Sequence, residues 1–377
     1  MGMQAAETKK KSRTNWFVLS LNSIACVGIL LTYAAAAFSP SAMGYLALFG
    51  LAYPFILAIN LLFVVYWLFK KRRNALLSAG LIILGWNHFT DFFQFSTKGA
   101  VNPDATLLKV LTYNVHVFDV FDKTDGATTR DAIYDVLQRE QADVVCFQEF
   151  YQCEKKNSFP TRDTLLKFLP TKYYHERYTH AISGQQYFGV VTLTKYPIVK
   201  KGFVPFATDV NNFCIYIDIL KEGDTVRVYN AHLQSIRFKP EDYDLAKGKT
   251  EQSEIDDAGK RIARRLKNAF VKRQEQTDRI AESIRACQYP VILCGDFNDP
   301  PVSYTYCTLT EQLKDSFKAC GNGIGNTYIG AFPSFRIDYI LHDEKLEAID
   351  YETLPEKLSD HHAVTATFQW KPKKKKT

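Results

Sequence analysis

The chain has 377 residues, of which 46% are hydrophobic and 14% aromatic, and its formal net charge is +7. This length allows one large domain with an additional segment, or two ordinary domains. The positive charge is concentrated at positions 9–13, 70–73 and 371–376, whereas residues 101–370 contain 33 Lys and Arg against 38 Asp and Glu, a net of −5. An acidic main part gives no support to a nucleic-acid-binding protein, because binding of that kind relies on clustered positive charge.

The eight cysteines form no Cys-x-x-Cys pair and no Cys/His spacing of the kind that binds zinc. Cys146, Cys214 and Cys294 fall inside apolar segments, so they are interpreted as small buried hydrophobic residues. A disulfide stays open as an alternative if the large domain lies outside the cytoplasm.

Two long uncharged segments follow the basic N-terminus, which covers residues 1–15. Residues 16–38 comprise 23 residues without a charge, and residues 43–69 comprise 27. Each is long enough to cross a hydrocarbon core about 30 Å thick at about 1.5 Å per helical residue. The first is too long for a signal peptide, lacks a small-x-small cleavage site and is followed at once by the second. Both are therefore predicted to span a membrane.

A third segment, residues 75–95, begins with the apolar run Ala75–Trp86 and ends in NHFTDFFQF, which contains His88 and Asp91. It is predicted to span the membrane with a polar outer end. A helix lying along the membrane interface is the alternative. This segment decides on which side of the membrane everything after residue 95 lies.

The distribution of positive residues predicts the orientation. The loop 39–41 carries no cation, whereas residues 9–13 and 70–73 are rich in Lys and Arg. The positive-inside rule places both basic clusters in the cytoplasm. With three spans, the chain is a multi-pass protein of the cell membrane whose large domain is extracytoplasmic, on the periplasmic side; with two spans, that domain is cytoplasmic.

From residue 101 the pattern changes to short apolar strands separated by turns and helices, without a linker rich in Gly, Pro or Ser. This indicates one compact α/β domain over residues 101–370, followed by a lysine-rich tail over 371–377. The predicted strands are 108–115, 143–149, 187–195, 213–220, 225–233, 290–295, 335–341 and 363–369, and the predicted helices are 128–141, 161–169 and 255–286.

Acidic, amide or imidazole side chains stand at the ends of six of these strands. Such residues hold hard divalent cations and phosphate groups. A single ending of this type is an ordinary turn, but six in one domain indicate a site. The residues are Asn114, Glu149, Asn230 with His232, Asp296 with Asn298, Asp338, and Asp360 with His361 and His362.

Six short motifs occur in order between Leu108 and Gln369: YNV, FQE, NAHL, GDFND, RIDYIL and SDHHAV. As a set they resemble the endonuclease/exonuclease/phosphatase superfamily, which includes deoxyribonucleases, neutral sphingomyelinases and inositol-polyphosphate 5-phosphatases. The resemblance implies a four-layer α/β sandwich, in which two β-sheets pack face to face with helices outside. Here that sandwich follows two or three transmembrane helices. It also implies a divalent-metal-dependent phosphohydrolase.

The resemblance assigns the metal side of the site to three residues. Glu149 would bind the metal, Asn114 would hydrogen-bond in the same site, and Asp360 would complete it. The implied cofactor is Mg²⁺, with Mn²⁺ or Ca²⁺ as alternatives.

The resemblance assigns five further residues to the phosphate and the attacking water. Asp296 would orient and deprotonate the water, and Asn298 would bind a phosphoryl oxygen. His361 would contact the phosphate, Asp338 would hold the His361 imidazole in place, and His232 would be the second phosphate-facing imidazole. Chemically, the carboxylate-held cation and the two imidazoles neutralise developing charge while Asp296 acts as the base.

The expected function is membrane-anchored, metal-dependent hydrolysis of phosphodiester or phosphomonoester bonds, in a lipid headgroup, a small phosphodiester or a nucleic acid. The first motif, Y-N-V-H, departs from the W-N-x-x-G of the DNA-repair branch, which puts an abasic-DNA role in doubt. One alternative is a nuclease that acts on DNA or RNA outside the cytoplasm. Another is a catalytically inactive, membrane-bound binding module, although such a module predicts a gap in the residue set and the sequence has none.

Structural interpretations stand beside the functional ones for several residues. Asn230 is equally well explained as a turn residue, and His362 is better explained as a packing neighbour of His361 than as a second catalyst. The many cations of helix 255–286 are expected on a solvated face, with contact to a headgroup as the alternative.

Overall fold

A computed structural model describes residues 2–121, 126–155, 161–182, 184–207, 211–239, 241–242, 255–330 and 335–371 of the chain. Of the predicted lysine-rich tail, 371–377, only Lys371 lies within these ranges. The described part consists of an N-terminal group of helices and two large β-sheets with helices on their outer faces.

The helices are α1 (Gly2–Ala37), α2 (Pro40–Met43), α3 (Ala47–Leu51), α4 (Tyr53–Lys70), α5 (Arg72–Leu84), α6 (Trp86–Phe92), α7 (Gly126–Glu140), α8 (Thr161–Phe168), α9 (Ile255–Arg285), α10 (Tyr304–Thr310) and α11 (Ser316–Cys320). The strands are β1 (Gln94–Phe95), β2 (Leu107–Asn114), β3 (Val144–Cys153), β4 (Tyr173–Ile182), β5 (Gln186–Thr194), β6 (Ile198–Val204), β7 (Phe213–Lys221), β8 (Asp224–His232), β9 (Val291–Asp296), β10 (Lys314–Asp315), β11 (Asn322–Gly323), β12 (Asp338–His342), β13 (Leu346–Thr353) and β14 (Val364–Trp370).

Each large sheet has six strands. The order is β13-β14-β2-β3-β5-β4 in the first sheet and β10-β12-β9-β8-β7-β6 in the second. The pairs β2/β3 and β8/β9 are parallel. The carboxyl ends of paired parallel strands lie at one edge of a sheet, so each sheet presents two such ends at an edge.

Alternating side chains of each strand build the layers. In β2, Leu108 and Val110 pack between the two sheets, whereas Leu111 and Tyr113 belong to a second core that includes Ile133 of α7. Helix α9 covers the outer face of the other sheet through residues such as Ile280 and Ile284. The arrangement is helix, sheet, sheet, helix, which confirms the predicted four-layer sandwich. All eight cysteines are free.

All eight predicted strands are present, although the one predicted at 335–341 begins only at Asp338. The strands β4, β6 and β13 were not predicted, and each lies at the edge of a sheet. Edge strands commonly carry charged residues, which protect the unpaired edge. Lys200 and Lys201 in β6 are an example. Such strands lack the apolar run by which the central strands are recognised.

The N-terminal helices α1, α4 and α5 pack against one another. Within the described residues, two helical segments, Asn15–Ala37 and Tyr53–Lys70, are long and apolar enough to cross a membrane. Asn22 of α1 donates a hydrogen bond to Ser78 of α5 at 2.6 Å, and Ser78 donates to Asn60 of α4 at 2.8 Å. Hydrogen bonds of this kind hold membrane helices together, because apolar side chains gain little by leaving lipid. The network links α5 to α1 and α4, and these N-terminal helices are called the helix bundle below.

The predicted span 43–69 is a single helix only from Tyr53 onward. The residues before it form α2 and α3, which lie against α9 and α1. A Cβ atom on Gly50 would overlap the carbonyl oxygen of Val302, so α3 approaches the large domain closely. This stretch therefore packs partly against the large domain. The predicted span 75–95 is likewise divided, into α5, α6 and β1, with a break at Gly85.

Asp91 attaches the end of the helix bundle to the large domain. Its carboxylate accepts a hydrogen bond from Lys318 Nζ at 2.6 Å, and its backbone carbonyl accepts one from Arg336 at 2.8 Å. Arg336 also pairs with Asp315 at 2.7 Å. Close by, β1 pairs with β11. The bundle and the sandwich are therefore joined by buried polar contacts.

Replacement of Asp91 by Ala is expected to lower the free energy of unfolding of the full chain by about 2 kcal/mol. This lies between the ~0–1 kcal/mol of an exposed ion pair and the ~3–5 kcal/mol lost when a buried pair is broken, because the Lys318 side chain is 34% exposed. Denaturant unfolding in detergent measures the change. The control Lys98→Ala breaks the exposed pair with Asp350 and should have little effect. Equal, small effects of both variants would contradict the attachment.

Candidate active site

The predicted site residues converge at the carboxyl ends of the two parallel strand pairs. Asn114 is the last residue of β2, His232 the last of β8, and Asp296 the last of β9. Asp338 begins β12 directly opposite Asp296 in the antiparallel register. The two sheets thus bring residues from distant parts of the sequence to one place.

Gly295 allows β8 and β9 to approach closely enough for this arrangement. Its φ is +136°, and a Cβ atom there would overlap the carbonyl oxygen of Ala231. Only glycine accommodates both the backbone conformation and the contact. Because His232 pairs with Asp296 in the register of these strands, the glycine brings an imidazole and a carboxylate side by side.

The Asp296 carboxylate lies at the centre of the site and is 1% exposed. Its Oδ2 accepts hydrogen bonds from Asn114 Nδ2 at 3.0 Å and Asn298 Nδ2 at 3.1 Å, and its Oδ1 accepts one from the Asn298 backbone amide at 2.8 Å. Burial raises the pKa of Asp296 to about 6, although the charge of His361 opposes the rise. This carboxylate is a stronger base than an exposed one.

His361 lies between two carboxylates. Its Nδ1 is 2.8 Å from Asp338 Oδ2, and its Nε2 is 3.9 Å from Asp296 Oδ2. Burial opposes protonation of the ring, but the negative charges of Asp338 and Asp296 outweigh it and raise the pKa of His361 to about 10. The side chain is therefore an imidazolium at neutral pH.

Glu149 projects into the site from an irregular position in β3. The register between β3 and β5 shifts between Phe147 and Phe150, and Glu149 has a φ of +50°. Bulges of this kind redirect a side chain. His232 Nε2 lies 3.7 Å from Glu149 Oε1 and 3.8 Å from Asp296 Oδ2. This buried nitrogen has no hydrogen-bond partner among the described residues.

The oxygen atoms of Glu149 and Asp360 fit a hard divalent cation, which prefers carboxylate and water ligands. Asn114 turns its amide nitrogen toward Glu149 at 3.3 Å and Asp296, and its oxygen accepts a hydrogen bond from the His116 amide. In this orientation Asn114 positions carboxylates. Asp360 is fixed beside Asn114 because Ser359 Oγ donates to the Asn114 carbonyl at 2.8 Å and contacts Asp360 Oδ1 at 3.3 Å.

A second group, formed by Asp296, Asp338 and His361, has ligand atoms within 4.8 Å of one another. Metal ligation requires a deprotonated imidazole, whereas the two carboxylates favour the protonated form of His361. The ring also uses Nδ1 in its contact with Asp338. This group is better described as a chain of ion pairs than as a metal site.

A cleft of about 510 Å³ opens over these groups. Five of the eight predicted site residues line it: Glu149, Asp296, Asn298, Asp360 and His361. Asn114, Asp338 and His232 contact these residues from behind or beside them. All eight predicted residues thus belong to one connected cluster.

Two residues next to the site, Asn230 and His362, form hydrogen bonds within the fold and do not line the cleft. Asn230 is fully buried; its amide donates to the carbonyls of Phe147 and Val191 at 3.1 Å, and its oxygen accepts from Gln148 at 2.7 Å. It links the two sheets and does not lie in a turn. His362 packs beside the site, with Nδ1 3.0 Å from the Glu356 carbonyl.

Sequence reasoning missed two residues near the site. His116 begins a left-handed stretch that continues to Asp119, and the negative charges of Asp360 and Glu149 raise its pKa against the opposing effect of burial. The histidine of Y-N-V-H was the available signal. Arg273 was expected on a solvated helix face, but it is 1% exposed and pairs with Asp299 at 2.9 Å. The expectation of a solvated position is therefore wrong for Arg273. Its buried contact with Asp299 anchors the turn after Asn298.

Two parts of the chain match the sequence profiles of known families. Residues 111–361 match the sequence profile of the endonuclease/exonuclease/phosphatase family. Residues 15–92, which contain most of α1 and all of α2 to α6, match a separate profile described as a domain of unknown function (DUF8431). No curated protein matches the chain.

Several solved structures are similar in fold. A family member from Bacteroides thetaiotaomicron has 16% sequence identity and a TM-score of 0.53, and the match covers 71% of this chain and 100% of that one. A second, from Bacteroides vulgatus, has 17% identity and a TM-score of 0.51 over 71% and 100% of the two chains. A mannosyl-6-phosphatase from Bacteroides thetaiotaomicron VPI-5482 has 16% identity and a TM-score of 0.50 over 69% and 99%. Similarity at this level shows a shared fold and does not identify a substrate.

Proposed function

Because this chain belongs to the endonuclease/exonuclease/phosphatase family, we propose that it is a membrane-anchored hydrolase of phosphate esters that requires a divalent cation, preferably Mg²⁺. The observation that carries the proposal is the buried Asp296 carboxylate, held beside the His361 imidazolium and the outward-facing Glu149. An inactive binding module would not need a base, a cation-binding carboxylate and a phosphate-facing cation in one cleft. The proposed division is a membrane domain over 16–95 and a catalytic domain over 101–370.

Asp296 acts as the general base. With a pKa near 6 it is largely ionised at neutral pH, yet basic enough to accept a proton from water. The water oxygen forms a bond to phosphorus while Asp296 accepts the proton. The bond between phosphorus and the leaving oxygen breaks, and that oxygen keeps the electron pair and takes up a proton from solvent.

His361 and His232 stabilise the phosphate as its charge increases, whereas Asn298 orients the base, because its two amide N–H groups donate to Asp296 Oδ2 and to the Leu233 carbonyl, both at 3.1 Å. The His361 imidazolium is held by Asp338, its Nε2 lies 3.9 Å from Asp296 Oδ2, and the residue lines the cleft. The unpartnered Nε2 of His232 supports a hydrogen bond to a phosphoryl oxygen. Fixed groups of this kind stabilise a transition state without reorganisation.

Glu149 and Asp360 would hold the divalent cation, with Asn114 keeping the Glu149 carboxylate in place. A bound cation neutralises charge on the phosphate and polarises the bond to the leaving oxygen. The protein contributes the ligand oxygens and the cleft that orients the ester.

We expect Asp296→Asn to lower turnover by about 10²–10⁴-fold, because it keeps the side-chain shape and removes the base. The assay is hydrolysis of bis-p-nitrophenyl phosphate, plasmid DNA, RNA, sphingomyelin and inositol phosphates with Mg²⁺. Asp135→Asn, on the exposed face of α7, is the matched control and should leave turnover unchanged. Near-parental turnover by Asp296→Asn on any substrate that the parent hydrolyses would refute the role of Asp296 as the base.

Glu149→Gln should weaken cation binding, so part of its lost turnover should return at high Mg²⁺. The measurement is turnover as a function of Mg²⁺ concentration. Asp296→Asn serves as the control, since added Mg²⁺ cannot replace a base. An identical Mg²⁺ dependence in the parent and Glu149→Gln would remove Glu149 from the cation site.

The catalytic domain is proposed to lie outside the cytoplasm. The end of α1 at Ala36, the start of α4 at Tyr53 and the end of α6 at Phe92 cluster with Val302 of the large domain. The basic residues 9–13 and 70–73 belong to the opposite ends of α1, α4 and α5. This arrangement supports an orientation in which the basic ends are cytoplasmic.

A reporter enzyme that is active only outside the cytoplasm tests this orientation. Fused after residue 100, it should be active, because three membrane-crossing segments would precede it. Fused after Arg73, it should be silent. The reverse pattern would place the catalytic domain in the cytoplasm.

A further inference from the structure

The N-terminal helices contribute part of the lining of the catalytic cleft. Leu48 and Leu51 of α3 line the same cleft as the catalytic residues, as does Phe55 at the start of α4. Ile262 and Leu266 of α9 add further apolar lining. One part of the cleft is therefore lined by charged side chains, and another part is lined by apolar side chains.

The apolar part of the cleft continues along the candidate membrane span Tyr53–Lys70. Phe55, Ile59 and Leu62 are spaced at i, i+4 and i+7, so they lie on one face of α4. Their exposed fractions are 53%, 47% and 69%. An exposed apolar stripe thus runs along this candidate span and reaches the cleft that contains Asp296 at Phe55.

The contacts of α2 and α3 with the large domain hold the apolar side of the cleft in place. Gln274 Oε1 of α9 accepts hydrogen bonds from Ser39 Oγ and from the Ser41 backbone amide, both at 2.7 Å. Gly50 approaches the Val302 backbone more closely than any larger residue would allow. The apolar side chains of α3 and of the start of α4 are therefore a fixed part of the cleft lining.

We infer that the substrate is a phosphate ester of a membrane lipid. Its phosphate binds beside His361 and Asn298, and its hydrocarbon chain lies against Leu48, Leu51 and Phe55. The chain enters along the stripe on α4 from the bilayer that surrounds the helices. This inference rests on the proposed function and specifies its substrate class.

The other phosphate esters fit the cleft less well. A nucleic acid requires cations along its backbone, but Arg237 and His361 are the cationic residues among the described lining, and residues 101–370 are acidic overall. A soluble sugar phosphate would leave Leu51 and Phe55 facing water. A lipid ester buries these side chains and uses the charged part of the cleft as well.

Chain-length dependence tests the inference on the full chain in nanodiscs. The substrates are alkyl 4-nitrophenyl phosphates from ethyl to dodecyl, all with the same leaving group and used below their micelle-forming concentrations. The kcat/KM of the parent should rise with chain length, by about three- to four-fold for each methylene group that the cleft buries. Hydrolysis of all esters at one kcat/KM would overturn the lipid assignment and leave the proposed function intact.

Variants distinguish binding of the alkyl chain in the cleft from simple partition of the longer esters into the bilayer. Partition into the bilayer is the same for every variant. Phe55→Gln should lower the ratio of dodecyl to ethyl kcat/KM by at least about tenfold, the equivalent of two buried methylene groups. Phe69→Gln, at the other end of α4 and 86% exposed, is the control and should keep the parental ratio. Leu51→Gln provides a second cleft variant. Parental ratios in both cleft variants would contradict the inference.

A binding measurement covers the case in which none of the esters is hydrolysed, which would refute the proposed function. Dodecyl phosphate and ethyl phosphate are titrated calorimetrically into the nanodisc-embedded protein. Tighter binding of dodecyl phosphate, weakened by Phe55→Gln and unaffected by Phe69→Gln, would support the lipid site independently of catalysis. Equal affinities for the two phosphates would overturn it.

Discussion

The burial of the Asp296 carboxylate is the constraint on which the rest of the active site depends. A carboxylate removed from water is stable only when neighbouring groups donate hydrogen bonds to it or carry positive charge. Here Asn114 comes from one sheet, Asn298 from the turn after β9, and His361 from the segment before β14. The two sheets must therefore pack in one relative arrangement before the carboxylate can be held, so that the fold and the site form together.

The central strands and the site residues could be predicted because both leave local signals. A strand buried on both faces is a continuous apolar run, and a polar residue at its end stands out. The edge strands β4, β6 and β13 lack that run, because one side of each has no neighbouring strand. The position of Arg273 could not be predicted either, because its partner Asp299 lies 26 residues further along the chain. Local composition describes a basic helix and does not indicate which cation is buried.

The start of the second candidate membrane span could not be predicted from the sequence either. Hydropathy does not distinguish an apolar side chain that contacts lipid from one that contacts another domain. Residues 43–52 therefore merged with the helix that begins at Tyr53. Asp91 posed the opposite problem, since a carboxylate at the end of an apolar segment has no local explanation. Its partner Lys318 lies 227 positions away, and only the tertiary structure brings the two together.

The rigid attachment of the bundle to the sandwich has a kinetic consequence. The Asp91 contacts, the β1/β11 pair and the Gln274 hydrogen bonds fix the cleft at a constant height and angle relative to the helices. For a substrate carried in the bilayer, encounter then occurs by lateral diffusion in two dimensions. The rate of such an enzyme follows the mole fraction of substrate in the membrane. Dilution with inert lipid slows the reaction, whereas dilution of the whole suspension does not.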